Sequence, residues 1–263
     1  MKIMVDFDNT LAVRHRDVDD FLALMYLIKK NCDIKLVTTT FGNDTIEVVN
    51  GATEKVFDDL KLDYELAFGN EDAAEKIVDK IHENENITLL TLGSLDNIRK
   101  AYELDNSIVD KCRIVSMGSI TEDLIINGKK MDELNFSVDY KSSEVVLKNF
   151  KDISIINANN CLDYYVTLDE IDDIFQKYEY LRENAYAWFD FHSKDYKLDY
   201  IIIWDLIAAV FATDCELFSD NYKKVSFEKL NTGLLVEDED GKEINFPVLK
   251  SRLDYIKALK KVF

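Results

Sequence analysis

The first 120 residues alternate short, almost unbroken apolar runs with longer stretches in which apolar positions recur every three or four residues. KIMVDF (2–7), IKLVTTTF (34–41), YELAF (64–68), ITLLTL (87–92) and RIVSMG (113–118) have the length and β-branched content of strands. DDFLALMYLIKK (19–30) has helical spacing, as do the residues from Asp44, the expected N-cap, to Leu60, then 71–82 and 95–103. Strands that are apolar on both faces and alternate with helices predict an α/β fold, an open, mostly parallel sheet flanked by helices. Ligands of such sheets sit beyond the carboxyl ends of the strands, so chemistry is expected where these runs end.

The second half has a different rhythm. A hairpin is expected over 122–134, turning at Asn127-Gly128, with helices following near 141–149, 167–180 and 182–193. A very apolar helix near 200–213 carries Trp204-Asp205. Strand signals at 223–229 and 232–237 accompany the acidic loop EDEDGKE, and a basic-tipped helix closes the chain. No linker, composition break or internal repeat divides the sequence, so one domain over 1–263 is expected, long enough to bury a full core behind a sheet.

Composition narrows the function. One proline and eight glycines exclude collagen-like and low-complexity classes. With 32 Lys+Arg against 51 Asp+Glu the formal charge is −19, which repels phosphate backbones and anionic lipid; neither nucleic acid nor a membrane is an expected partner. No run approaches 18 apolar residues and the N-terminus enters a strand directly, so a soluble, cytoplasmic protein is expected. Cys32, Cys112, Cys161 and Cys215 are widely spaced, which predicts buried thiols instead of a zinc site or disulfide framework.

The chemistry is in the acids. Asp6 and Asp8 end the first strand, and Asp17, Asp19 and Asp20 precede or open the first helix. Capping of a helix N-terminus accounts for Asp17 and Asp19. It does not account for Asp6 and Asp8, because ionised carboxylates at a buried strand end need partners. Arg14 and Arg16 are the few bases nearby, so a hard divalent cation with all-oxygen ligands, Ca²⁺ or Mg²⁺, is the expected partner.

Two families share this segment. DFDNTL (6–11) resembles the first motif of haloacid-dehalogenase-like phosphatases, with a nucleophilic and an acid/base aspartate beside Mg²⁺. Thr38–Thr40 would imitate their second motif, but the late acidic pair they need, Asp172-Asp173, falls in the helical pattern LDEIDDIF. The other resemblance runs through residues 6–209. DFD, DVDDFLAL, VTTTFGN (37–43), TLGSLDNI (91–98), IVSMGS (114–119), ELNFSVDYKSSEVVL (133–147) and WDLIAA (204–209) are similar, in order, to the motifs of the nucleoside hydrolases.

That resemblance implies a nucleoside hydrolase-like fold and Ca²⁺-dependent hydrolysis of a ribonucleoside to ribose and free base, as in purine salvage. It implies that Asp8, Asp20, the Leu92 carbonyl and Asp205 hold Ca²⁺, and that Asp8 takes a proton from the attacking water. Asp19, Asn43, Glu133 and Asn135 would bind ribose hydroxyls, with Met117 and Asn127 beside the sugar. An oxocarbenium-like transition state would be stabilised by these carboxylates and amides. Asn127 before Gly128 also reads as a turn residue, and Met117 as core.

The sequence departs from the family pattern at three places. Ten residues, NTLAVRHRDV, separate Asp8 from Asp19 with no Pro-Gly; a His-Gly loop is missing, His82 falling in a polar helix; and Trp204 stands where many members carry a histidine. The purine-preferring branch has tryptophan there, stacked on the base, which implies purine preference here. His192, Tyr186, Trp188 and Phe189 are further candidates to cover the base. A member that binds a nucleoside or ribosyl compound without turnover is the non-catalytic alternative, and a homodimer or homotetramer is left open.

Overall fold

The computed structural model describes residues 1–11, 13 and 16–263, and of residues 192 and 195 the helical backbone alone. The first half forms β1 (Lys2–Phe7), α1 (Asp19–Lys29), β2 (Asp33–Thr39), α2 (Ile46–Leu60), β3 (Leu66–Ala67), α3 (Ala73–Glu83), β4 (Ile87–Thr91), α4 (Asp96–Leu104) and β5 (Cys112–Met117). A hairpin of β6 (Ile125–Ile126) and β7 (Lys129–Lys130) follows, then α5 (Tyr140–Asn149), β8 (Ile153–Ile156), α6 (Ala158–Cys161) and β9 (Val166–Thr167). Next come α7 (Leu168–Phe175), α8 (Glu179–Tyr196), β10 (Tyr200–Ile201) and α9 (Trp204–Thr213). The chain closes through β11 (Phe218–Ser219), β12 (Tyr222–Lys229), β13 (Leu234–Glu237), β14 (Lys242–Asn245), β15 (Val248–Leu249) and α10 (Arg252–Val262).

Nine strands make one sheet in the order β13-β12-β14-β8-β5-β4-β1-β2-β3. The seven from β14 to β3 pair in parallel, and β12 and β13 extend the sheet antiparallel. Alternation along each strand divides the core. Ile3, Val5 and Phe7 face the layer of α1, α9 and α10, where Phe21, Leu206 and Tyr255 are buried. Met4 faces the opposite layer, with Ile77 of α3, Ile98 of α4 and Val146 of α5. β2 and β4 flank β1 and are reached by connections running opposite ways, so the sheet's switch point lies beside β1, where a crevice opens at the carboxyl ends.

Several elements differ from expectation. β8, only ISII, pairs with β5 in mid-sheet; a four-residue run is too short to announce itself. β14, KEIN, is disguised by its charged residues. The apolar stretch expected as one helix over 200–213 is a strand paired with β9, then a helix starting at Trp204. The break between α7 and α8 falls at 176–178. Thr45, not Asp44, occupies the N-cap of α2, because Asp44 is drawn to Arg16 at 2.8 Å. Cys112 and Cys161 are buried, but Cys32 is only partly so and Cys215, in the turn after α9, is exposed; all four are free. No described helix is long and apolar enough to cross a membrane.

Candidate active site

The described residues between Asp8 and Asp19, where the sequence departs from the pattern, leave the aspartates together. Leu11 is buried, the Asn9 side chain accepts from Leu11 N–H at 3.1 Å, and the Val13 N–H donates to the Thr10 carbonyl. Asp8 N–H then donates to Asp20 Oδ1 at 3.2 Å, and Asp205 N–H to Asp19 Oδ2 at 3.5 Å. Two helix N-termini, α1 and α9, thus carry acids to one point, where the helix dipoles favour negative charge.

Asn43 is the hub. Its Nδ2 lies 3.2 Å from Asp8 Oδ1, 2.9 Å from Asp17 Oδ1, 3.2 Å from Asp20 Oδ2 and 3.5 Å from the Asp8 carbonyl. Four acceptors face a group with two hydrogens. Asp17, Asp19 and Asp20 each offer an oxygen within 4.8 Å of the others. The single described arginine of this loop, Arg16, pairs with Asp44 instead. Two glycines make room: a Cβ at Gly42 would fall 2.0 Å from Asp8 Oδ2, and one at Gly93 2.9 Å from Asp8 Cγ.

Burial dominates the electrostatics. It pushes Asp8 up to about 7, with Asp19 adding repulsion, and Asp19 up to about 6. Asp17, Asp20 and Asp205 are raised well above the carboxylate range by burial and by each other's charge. Asp6, also pushed by burial to about 7, faces the α4 layer, where its Oδ1 accepts from Thr38 Oγ1 at 2.6 Å and Asn97 Nδ2 at 2.8 Å. Its Oδ2 is buried without a hydrogen-bond partner. A crowd of buried, mutually repelling, oxygen-only ligands is the donor set that suits a hard divalent cation.

Above the acids lies a cavity of about 130 Å³, with Asp17, Asp19, Asn43, Met117, Glu133 and Asn135 on its polar side. Leu92 and Asp205 line it too, while Asp8 and Asp20 lie fully buried below, joined to it through Asn43. Asn135 Nδ2 donates to the Leu92 carbonyl at 3.0 Å and the Met117 carbonyl at 3.2 Å, tying the ends of β4 and β5. Glu133 is held as an acceptor by the N–H groups of Ser119, Phe136 and Ser137 at 2.9–3.1 Å. The apolar side carries Leu124, Met131, Trp188 and Trp204.

Not every candidate reaches this cavity. Asn127 is exposed, with φ 48 in the hairpin turn, its Nδ2 donates to the Tyr196 carbonyl at 2.9 Å, and it is not among the residues lining the cavity. Asp172 and Asp173 lie on α7, where Asp173 pairs with Lys260, so the acidic strand end of a dehalogenase-like phosphatase is not formed. Thr38 and Thr40 tie strand ends, Thr38 to Asp6 and Thr40 to Ser94. His82 is exposed and bonds Asp105 at 2.6 Å. Arg14 and the side chain of His192 lie outside the described residues. Asp17, read from sequence as a cap, joins the acid cluster; its spacing before Asp19 and Asp20 carries no sign that separates the two roles.

Residues 58–259 match the family model described as inosine-uridine preferring nucleoside hydrolase. Asp8, Asp19, Asp20 and Asn43 precede the matched stretch. Among solved structures, a plant nucleoside hydrolase superposes with a TM-score of 0.84 at 19% identity, covering 99% of this chain and 98% of that one. A purine-preferring ribonucleoside hydrolase from Gardnerella vaginalis gives 0.82 at 16% identity, covering 100% and 99%. An inosine-uridine preferring nucleoside hydrolase from Bacillus anthracis gives 0.77 at 16% identity, covering 100% and 99%. At such identities these superpositions establish the fold. No curated protein matches the sequence.

Proposed function

This chain belongs to the inosine-uridine preferring nucleoside hydrolase family, and from that premise we propose that it cleaves purine ribonucleosides on a single Ca²⁺ ion. The observation that carries the reading is the convergence of Asp8, Asp17 and Asp20 on one amide nitrogen, with Asp19 and Asp205 beside them. Asp8, Asp20, the Leu92 carbonyl and Asp205 would hold the ion; Ca²⁺ tolerates such irregular sets of six to eight oxygens. When bound, the ion supplies Lewis acidity that eases removal of a proton from water near neutral pH.

The chain's own residues account for the rest. Asp8 receives the proton from water. Asp19, Asn43, Glu133 and Asn135 offer acceptors and donors to the ribose hydroxyls, and Glu133, locked by three backbone N–H groups, can do so without reorganising. The surrounding carboxylates stabilise positive charge developing on the sugar. Trp204, at the first position of α9, presents its ring to the cavity next to Asp205, which supports stacking on a purine.

The deciding assay is ribose release from a panel of nucleosides, before and after chelation. Chelator-sensitive release, restored best by Ca²⁺ and fastest with purines, is expected. Phosphate release from simple esters, or nucleoside binding without any turnover, would overturn the reading.

A further inference from the structure

Breaking a C1′–N bond leaves an electron pair on the base nitrogen, and a neutral base needs a proton to receive it. Among the described residues lining the cavity there is no His, Lys, Arg, Tyr or Cys; the ionisable ones are Asp17, Asp19, Asp132, Glu133 and Asp205. Glu133 is occupied as an acceptor. At the apolar end, Met131, Trp188 and Trp204 also wall an adjoining cavity of about 20 Å³, closed by Tyr196 and Tyr200. It has room for one small substituent and is ringed by four aromatic side chains. Aromatic faces attract cations, and the Trp204, Trp188 and Tyr200 rings wall this end of the site. Acidic walls focus a negative potential into the same space.

We propose that this site prefers ribosides whose base already carries a fixed positive charge, such as an N-alkylated purine or a pyridinium. The proposal rests on the ribonucleoside hydrolase reading and narrows its substrate class. The electron pair of the C1′–N bond passes to the cationic ring nitrogen, and the base leaves neutral without being protonated. The water oxygen bonds to C1′, and its proton goes to Asp8 and then to solvent. One cationic riboside and one water give ribose, a neutral base and a proton.

Two measurements on the full chain with Ca²⁺ test this. In turnover, kcat/KM for 7-methylinosine should exceed that for inosine by about 10² or more. Because methylation also weakens the glycosidic bond, binding is measured separately by calorimetry with 1-methylnicotinamide and its neutral isostere 3-methylbenzamide. The cation should bind about tenfold tighter, and Trp204→Leu should remove most of that difference. Equal binding of the two probes overturns the proposal, and if inosine still releases ribose the hydrolase reading survives it. Selective binding of the cation with no turnover of any riboside supports the cation site and defeats the hydrolase reading. Inosine turned over as fast as 7-methylinosine, with His192→Ala abolishing only the former, overturns the proposal, because a proton donor then serves neutral bases.

Discussion

Asp8 is confined from both sides, by Gly42 and Gly93, and is fully buried beneath Asn43. The two glycines leave little room beyond a side chain of this length, and the Asp8 backbone N–H makes the contact with Asp20. Asp8→Asn, like Asp205→Asn, should cut bound metal in elemental analysis and lower kcat/KM by about 10² or more, since ligation and water activation are lost together. Full activity with metal retained in Asp8→Asn would contradict both roles. The ribose side carries its own test. Sites that hydrogen-bond a hydroxyl leave buried polar groups unpaired when it is missing, so 2′-deoxyribonucleosides should lose about 10⁴ in kcat/KM. Comparable values for ribo- and 2′-deoxy substrates would count against Asp19, Asn43 and Asn135 in this role. At this scale the sequence was informative where a residue type was out of place: a carboxylate at a buried strand end demanded a partner. It was silent where one spacing served two purposes. Asp17 looks like a cap, and Asn127 before Gly128 reads both as a turn residue and as a neighbour of the sugar; the structure puts Asp17 among the acids and Asn127 in a turn.

Helices α1 and α9 pack side by side, their N-terminal turns bearing Asp19, Asp20 and Asp205. Their other ends are tied as well: Tyr26 Oη and Lys30 Nζ donate to Asp214, just past α9, at 2.9 and 2.7 Å. Lys30 holds the Asp214 carboxyl below the usual carboxylate range against the cost of burial. Asp214→Ala would leave Tyr26 Oη unsatisfied and should cost about 1–3 kcal/mol, read from the urea unfolding midpoint. No change in midpoint would mean the tie is incidental. The elements that build the site, β1, β2, β4, β5 and α1, were legible because two-sided burial writes unbroken apolar strands and one-sided burial writes helical spacing. β8 and β14 were not, because four residues give periodicity nothing to repeat over. The onset of α9 was hidden by Ile201, Ile202 and Ile203, which are equally apolar in strand and helix.

Across the whole molecule, a formal charge of −19 surrounds a centre that is itself acidic. Asp6 and Asp8 rise from an ordinary 3.8 to about 7 and Asp19 to about 6. Between roughly pH 4 and 7 the folded, metal-free chain therefore binds more protons than the unfolded one. Its stability should be highest at the acid side of that window and fall as pH rises through about 7. A divalent cation bound at this cluster would replace those protons. In thermal melts, the chelated protein should lose Tm between pH 5 and 7.5, and Ca²⁺ should raise Tm more at pH 7.5 than at pH 5. A chelated Tm that climbs over this range would refute the assigned burial cost.

The contact between Asp205 and Asp19 joins residues 186 positions apart. During synthesis Asp19 leaves the ribosome well before α9, which follows 186 residues later. Until then the growing protein carries an incomplete claw with surplus negative charge. Tight capture of an ion at this cluster would require that α9 has been made and has docked. A chain truncated before residue 204 should hold calcium weakly, and the 263-residue chain tightly, as read by calcium titration.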